Sequence, residues 1–133
     1  MEDTINKELK RLPDAKLDIM NYIWEQNKAV SSADILEGLK NRRKWTLATV
    51  LNLLARLSDK GFVEYKKQGK FKMYSHIVDR DEYLSQESKT ILDHVYNGSI
   101  PRMVSALCDS TDLTPDDILS LKAFIDEKSK EKL

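Results

Sequence analysis

Cysteine is nearly absent from this chain. Cys108 is the one thiol in 133 residues, which excludes an internal disulfide and any cysteine-cluster metal site. Histidine is almost as scarce, with His76 and His94 far apart in sequence, so convergent acid–base or metal chemistry has few ligands to draw on. Four glycines and three prolines leave no Gly-rich phosphate loop and no collagenous or disordered composition. No apolar run approaches the ~18 residues of a membrane span. The segment Met-Glu-Asp-Thr-Ile-Asn-Lys-Glu carries charges where a secretion signal carries an apolar core. A cytoplasmic location with no membrane partner is expected. Net charge is also missing, with 22 basic against 22 acidic residues. What is present, 41% hydrophobic and 33% charged residues, describes a helix-rich globular chain of one ordinary domain or two very small ones.

The zero net charge conceals a polarity. Residues 1–78 hold 15 basic and 10 acidic side chains, whereas residues 79–133 hold 7 basic and 12 acidic. Between Lys40 and Lys72 the count is ten basic against two acidic, Asp59 and Glu64. Such a block is an electrostatic footprint for a polyanion, most often nucleic acid. A solvated lysine-rich surface explains the charge equally well until the elements that carry it are known.

Periodicity supplies those elements. Pro13 and Asp14 open a first helix whose apolar positions Leu17, Ile19, Met20, Ile23 and Trp24 recur at helical spacing, ending at Asn27-Lys28. Ser31 and Asp34 form a capping box for a second helix with Ile35, Leu36 and Leu39 on its inner stripe, weakened slightly by Gly38. After the basic connector Asn41-Arg42-Arg43-Lys44, Thr46 caps a third helix that runs to about Asp59 and stops at Lys60-Gly61. The period then drops to two, with runs 62–67 and 70–77 flanking a turn at Gln68-Gly69, a β-hairpin pattern. Three helices and a basic hairpin make a winged helix-turn-helix. The fold class is therefore α+β, mostly helical, with the winged domain at 1–78.

From Asp79 onward the chain is helical and acidic. Leu84, Ile91, Leu92, Val95 and Tyr96 form a stripe closed by Asn97-Gly98. Met103, Val104 and Leu107 belong to a short helix beginning at Pro101. Thr114-Pro115-Asp116-Asp117 starts a last helix bearing Ile118, Leu121, Phe124 and Ile125, which frays into the Glu-Lys-Ser-Lys end. Three helices in so short a segment make a core that is marginal alone. Residues 79–133 are expected to be a three-helix dimerisation domain in which these apolar stripes meet a second copy.

On a wheel of residues 47–57, Val50, Leu53, Leu54 and Leu57 fall within a ~100° arc that faces the core. Ala48, Thr49, Asn52, Ala55 and Arg56 lie opposite, with Leu51 at the border. That outer face is small, polar and free of acids before Asp59, which suits a helix entering a major groove: small residues permit approach, Asn52 matches adenine, Thr49 meets a base or phosphate, and Arg56 meets phosphate or guanine. Lys66, Lys67, Lys70 and Lys72 crowd the hairpin where a wing meets backbone or minor groove. Edge-strand lysines that deter aggregation are the competing explanation. Arg42, Arg43 and Lys44, with Thr46, precede the helix and are placed to grip phosphates.

The run Leu12 to Trp24 (LPDAKLDIMNYIW), the pattern Trp45-Thr46-x-x-Thr49-Val50-x-x-Leu53-Leu54-x-Arg56-Leu57 and the segment Lys60-Gly61-Phe62-Val63 resemble the penicillinase-repressor family, the BlaI/MecI/CopY group. The resemblance covers about residues 10–125. It implies a homodimeric repressor binding a palindromic or pseudopalindromic double-stranded DNA operator, needing no cofactor, and relieved in well-known members by a protease cutting the C-terminal domain. Thr49 and Arg56 match the family's recognition-helix pattern, and Asn52 replaces a small hydroxyl residue. Ala48 and Leu51 stand where those regulators typically have Lys and Arg, so the resemblance implies no particular operator sequence. Leu51 is suited to a thymine methyl instead. The scissile region falls near Ser105-Cys108, with Ala106-Leu107 the candidate bond and helix core the plainer reading. The C-terminal cysteine cluster of the copper-responsive branch is missing.

Other classes stay open on narrower grounds. Cys108 reads as a small buried residue, His94 as an interface residue, and Asp116-Asp117 as a helix cap, so catalysis is not expected. A winged helix acting as a protein-interaction module, or as a ligand-gated regulator, remains the alternative.

Overall fold

The computed structural model describes residues 12–132; the charged N-terminal octapeptide read above lies outside them. Among the described residues the order is α1 (Asp14–Glu25), α2 (Ser32–Gly38), α3 (Leu47–Asp59), β1 (Val63–Gln68), β2 (Phe71–His76), α4 (Arg80–Val95), α5 (Ile100–Ser110) and α6 (Pro115–Lys132). The mostly helical, winged-helix reading holds. Local chemistry sets the ends of these elements. Ser31 and Asp34 exchange both bonds of a capping box at α2. The Thr46 hydroxyl accepts from the Thr49 N–H at 3.2 Å, starting α3 where the sequence placed it. Gly61, at φ 82, lets the Phe62 N–H reach back to the Leu57 carbonyl at 2.9 Å, which ends α3 at low steric cost.

The hairpin register pairs Val63 with His76 and Gln68 with Phe71. The turn is therefore Gly69-Lys70, one residue later than expected. The first loop position takes φ 65, which Gly69 accepts without the Cβ penalty that Gln68 would meet. Val30 adds a bridge that periodicity did not reveal. Its N–H donates to the Tyr74 carbonyl at 2.9 Å, and the Tyr74 N–H donates back at 2.7 Å, giving the hairpin a third, single-residue strand.

The chain divides into two compact units between Ser88 and Lys89, ten residues beyond the boundary expected at 78/79. In the first unit Ile19, Met20, Ile23, Ile35, Val50, Leu54 and Leu57 are buried and pack α1, α2 and α3 around one core with Val63 and Tyr74 of the hairpin. Tyr83 is what carries the first unit into α4. Its ring is buried beside Trp24 and Phe62, with centroids 5.7 and 6.0 Å away, and its hydroxyl accepts from the Leu12 N–H at 2.8 Å. The Trp24 indole N–H donates to the Val78 carbonyl at 2.9 Å. Gly38 has a packing reason: a Cβ there would run into the ring of Tyr22.

In the second unit, Asn97 and Gly98 adopt positive φ to end α4. The Ser99 hydroxyl caps α5 by accepting from the Arg102 N–H. Thr114 and Asp117 form a reciprocal cap at α6, with bonds of 3.0 and 3.1 Å. That arrangement confirms Asp116-Asp117 as a helix start, and it holds the Asp117 carboxyl below the usual carboxylate range through its bonds to Thr114. Helix α6 runs on to Lys132 rather than fraying, through residues of good helix propensity with Lys128 and Glu131 paired at 3.6 Å. No described residue of this unit is buried.

Candidate nucleic-acid interface

Helix α3 presents two faces, as the wheel requires. Val50, Leu54 and Leu57 are buried, and Leu53 is half-buried against the core. Ala48, Leu51, Asn52, Ala55 and Arg56 are exposed, and Thr49 is half-buried. The Thr49 hydroxyl stands 3.2 Å from that of Thr46, so both threonines are ordered at the helix start, where backbone N–H groups and the helix dipole favour an anion. Leu47 is also exposed there. Sequence reasoning passed over it because it lies at the first helical position, outside the stripe that decides burial.

The hairpin lysines Lys66, Lys67, Lys70 and Lys72 are all exposed. Lys67 and Lys72 face each other in register, a like-charge cross-strand pair that is unfavourable by itself. Lys72 leans over the Tyr65 ring, its ammonium 4.5 Å from the centroid. Phe71 stands exposed at the tip beside Lys70. A further basic cluster escaped the sequence reading because it joins residues distant in the chain. Lys16 of α1 lies against Lys60 at the end of α3, with Arg56 near. Contact with Lys60, then desolvation, then the positive charge of Lys60 and Arg56 lower the Lys16 ammonium below the usual lysine range.

The connector behaves differently from its sequence. Lys44 is exposed, but Arg43 is committed to the fold. Its Nε donates to Asp18 Oδ2 at 2.7 Å, and its guanidinium stacks 5.2 Å over the Trp45 ring. Arg42 reaches the other carboxylate oxygen at 3.5 Å while staying largely in solvent. Of the three cations expected to grip phosphates, Arg43 is the one the fold engages most closely, while Arg42 and Lys44 are exposed. Periodicity gave no hint of Asp18's partner, since the acid and the arginines meet only in the tertiary structure.

A shallow open cleft of about 600 Å³ runs beside this pair, lined by Asp18, Tyr22, Glu25, Arg42 and Arg80 among others. Its charges are already matched, Asp18 with Arg42 and Glu25 with Arg80 at 3.8 Å. Among the described residues no group of His, Cys, Asp or Glu is placed to hold a metal ion, and no helix is long and apolar enough to cross a membrane.

The residues expected to meet a second copy divide by exposure. Leu84, Val95, Val104, Leu107, Ile118, Leu121, Phe124 and Ile125 are exposed, whereas Ile91, Leu92, Tyr96 and Met103 are half-buried. Ile100 and Leu119 join the exposed set. Leu107 is exposed and Ala106 half-buried, both inside α5. Cys108, expected to be buried, is exposed on the same helix, because α5 buries none of its residues.

Comparison with known proteins agrees with this geometry. The chain is 25% identical to the penicillinase repressor of Bacillus licheniformis over 126 residues, covering 95% of this chain and 98% of that one. It is 31% identical to the methicillin resistance regulatory protein MecI of Mammaliicoccus sciuri over 114 residues, covering 86% and 92%. The solution structure of the DNA-binding domain of the repressor BlaI superposes with a TM-score of 0.51 at 25% identity, covering 57% of this chain and 92% of that domain. A family model described as penicillinase repressor matches residues 12–127, and the chain belongs to that family, one of transcriptional repressors and not of enzymes.

Proposed function

We propose that this chain represses transcription in the cytoplasm as a homodimer, each protomer laying α3 in a major groove of a palindromic or pseudopalindromic operator while the hairpin lysines hold the flanking backbone. One observation carries the reading: the face of α3 turned to solvent holds Thr49, Asn52 and Arg56 with no acid before Asp59. It lies in a unit whose hairpin sets lysine opposite lysine. Both features are unfavourable or idle in water and productive against a polyanion. The second unit supports pairing, since α5 and α6 expose apolar side chains and bury none within one chain. Two copies would place two recognition helices about one helical turn of DNA apart, or a small multiple of it. Relief by a regulatory protease at Ala106-Leu107 requires local opening of α5, which buries nothing within one chain, so pairing with the second copy sets the cost of that opening.

Selection of bound duplexes from a random DNA pool, at two salt concentrations, tests this reading. An enriched palindrome whose affinity falls steeply with salt supports it. In the same assay Asn52→Ala relaxes preference at one position per half-site, by about 1–3 kcal/mol. Weak, salt-sensitive binding without enrichment would instead favour a sequence-blind binder or an interaction module.

A further inference from the structure

Asp18 is the one buried charged residue among the described residues. It projects from the middle of α1 toward the connector that leads into α3. Arg43 Nε donates to its Oδ2 at 2.7 Å, and Arg42 Nε lies 3.5 Å from its Oδ1. Arg43 then stacks on Trp45, a half-buried residue packed against the core. Trp45 directly precedes Thr46, whose hydroxyl starts the recognition helix. A buried carboxylate requires compensation, and here the compensation comes from two cations of the very segment that carries the strongest basic run.

We infer that Asp18 is a positioning residue for DNA discrimination: its carboxylate stands in for a phosphate, holding Arg43 against the fold, drawing part of the charge of Arg42 and fixing the path by which the chain enters α3. The inference rests on the DNA-binding reading above. Arg42 and Arg43, freed from Asp18, are two more cations for any phosphate backbone, and backbone contacts bind all sequences alike. With Asp18 present, its single negative charge holds Arg43 against the fold at 2.7 Å and offsets part of the charge of the solvent-exposed Arg42 at 3.5 Å. Binding then leans more on the face of α3 that meets base edges, which raises the ratio of operator to random affinity.

The test uses the full chain with an operator duplex obtained by selection and a random duplex of equal length, titrated at 50 and 200 mM salt. Asp18→Asn keeps the shape of the side chain and removes its charge. The expected result is tighter binding to random DNA and a smaller operator-to-random ratio. The affinity gap between the two salts should widen about threefold to fourfold for each cation released, from a slope of roughly −0.9 per contact. Asp18→Glu, which retains the charge, returns the salt dependence toward that of the parent. A folded Asp18→Asn protein with unchanged salt dependence on random DNA overturns the inference. So does loss of operator and random affinity in equal measure, which is what a purely structural role produces. Should Asp18→Asn fail to fold, Arg42→Gln and Lys44→Gln decide the matter in the parent background. Lys44→Gln flattens the salt dependence by about one contact, while Arg42→Gln, whose charge Asp18 partly offsets, flattens it by less; equal flattening by both overturns the inference. Absence of salt-dependent DNA binding in the parent protein is a different result, and it refutes the DNA-binding reading itself.

Discussion

Phe124 offers the sharpest test of the second unit. It lies on α6 and exposes 59% of its surface within one chain. A Phe side chain buries roughly 150–250 Å² when fully covered, so about 120 Å² awaits a partner. At ~25 cal/mol per Å² that area is worth about 3 kcal/mol per protomer. In a two-fold interface the same residue contributes from both copies, which makes about 6 kcal/mol per dimer. Truncation to Ala removes most of it, and the dimer dissociation constant should rise by roughly three to four powers of ten. Sedimentation equilibrium across a wide concentration range reads this directly. Circular dichroism should show unchanged helix content at protein concentrations above the raised dissociation constant, because the helices of the second unit bury nothing within one chain and rely on pairing. Leu54→Ala provides the contrast: it should cost the winged unit about 2–5 kcal/mol and leave the monomer–dimer constant of the still-folded protein nearly unaltered. A Phe124→Ala protein that stays helical and dimerises within tenfold of the parent would refute the placement of α6 in the seam.

Replacing Lys66 and Lys67 together by Ala should weaken binding to all duplexes alike and flatten the plot of log affinity against log salt by about 0.9 per lost phosphate contact; an unchanged slope removes the hairpin from the interface. Gly38→Ala sets helix propensity, which favours Ala by about 1 kcal/mol, against collision with the Tyr22 ring. Overpacking of about 1–3 kcal/mol should win, so the melting temperature falls, and the cost should shrink in a Tyr22→Ala background. The Asp117 carboxyl is depressed by its bonds to Thr114. A depressed folded value means that its stabilisation of the α6 start is fully present above the unfolded value near pH 4. It is lost as pH falls through the lower folded value. Helicity of the second unit should therefore drop at acidic pH, and Asp117→Asn should abolish that part of the titration.

Most of the fold was legible because its signals are local. The Ser31–Asp34 box, the Thr46 cap, the Lys60-Gly61 stop and the Thr114–Asp117 start each involve residues three to five apart, and each formed as the spacing requires. The inner and outer faces of α3 followed from a 3.6-residue period, which fixes direction once one face is apolar. The hairpin turn was misplaced by one residue, since hydrophobic alternation does not specify which loop position takes positive φ.

By itself, the amino-acid order determined the kinds of elements, their sequence along the chain, the sign of the charge on each, and the residues of α3 that face away from the core. Each of these depends on neighbours within a turn or a strand pair. Only the tertiary structure decided that Tyr83 anchors the start of α4 beneath Trp24 and Phe62, that Val30 lends the hairpin a third strand, and that Lys16 joins Lys60 and Arg56. It also decided that two of the three cations in the connector answer to Asp18. These pairings join residues well separated in the chain. A charge in a sequence shows its sign, but whether it faces solvent or a buried counter-charge is settled only when the chain has folded back on itself.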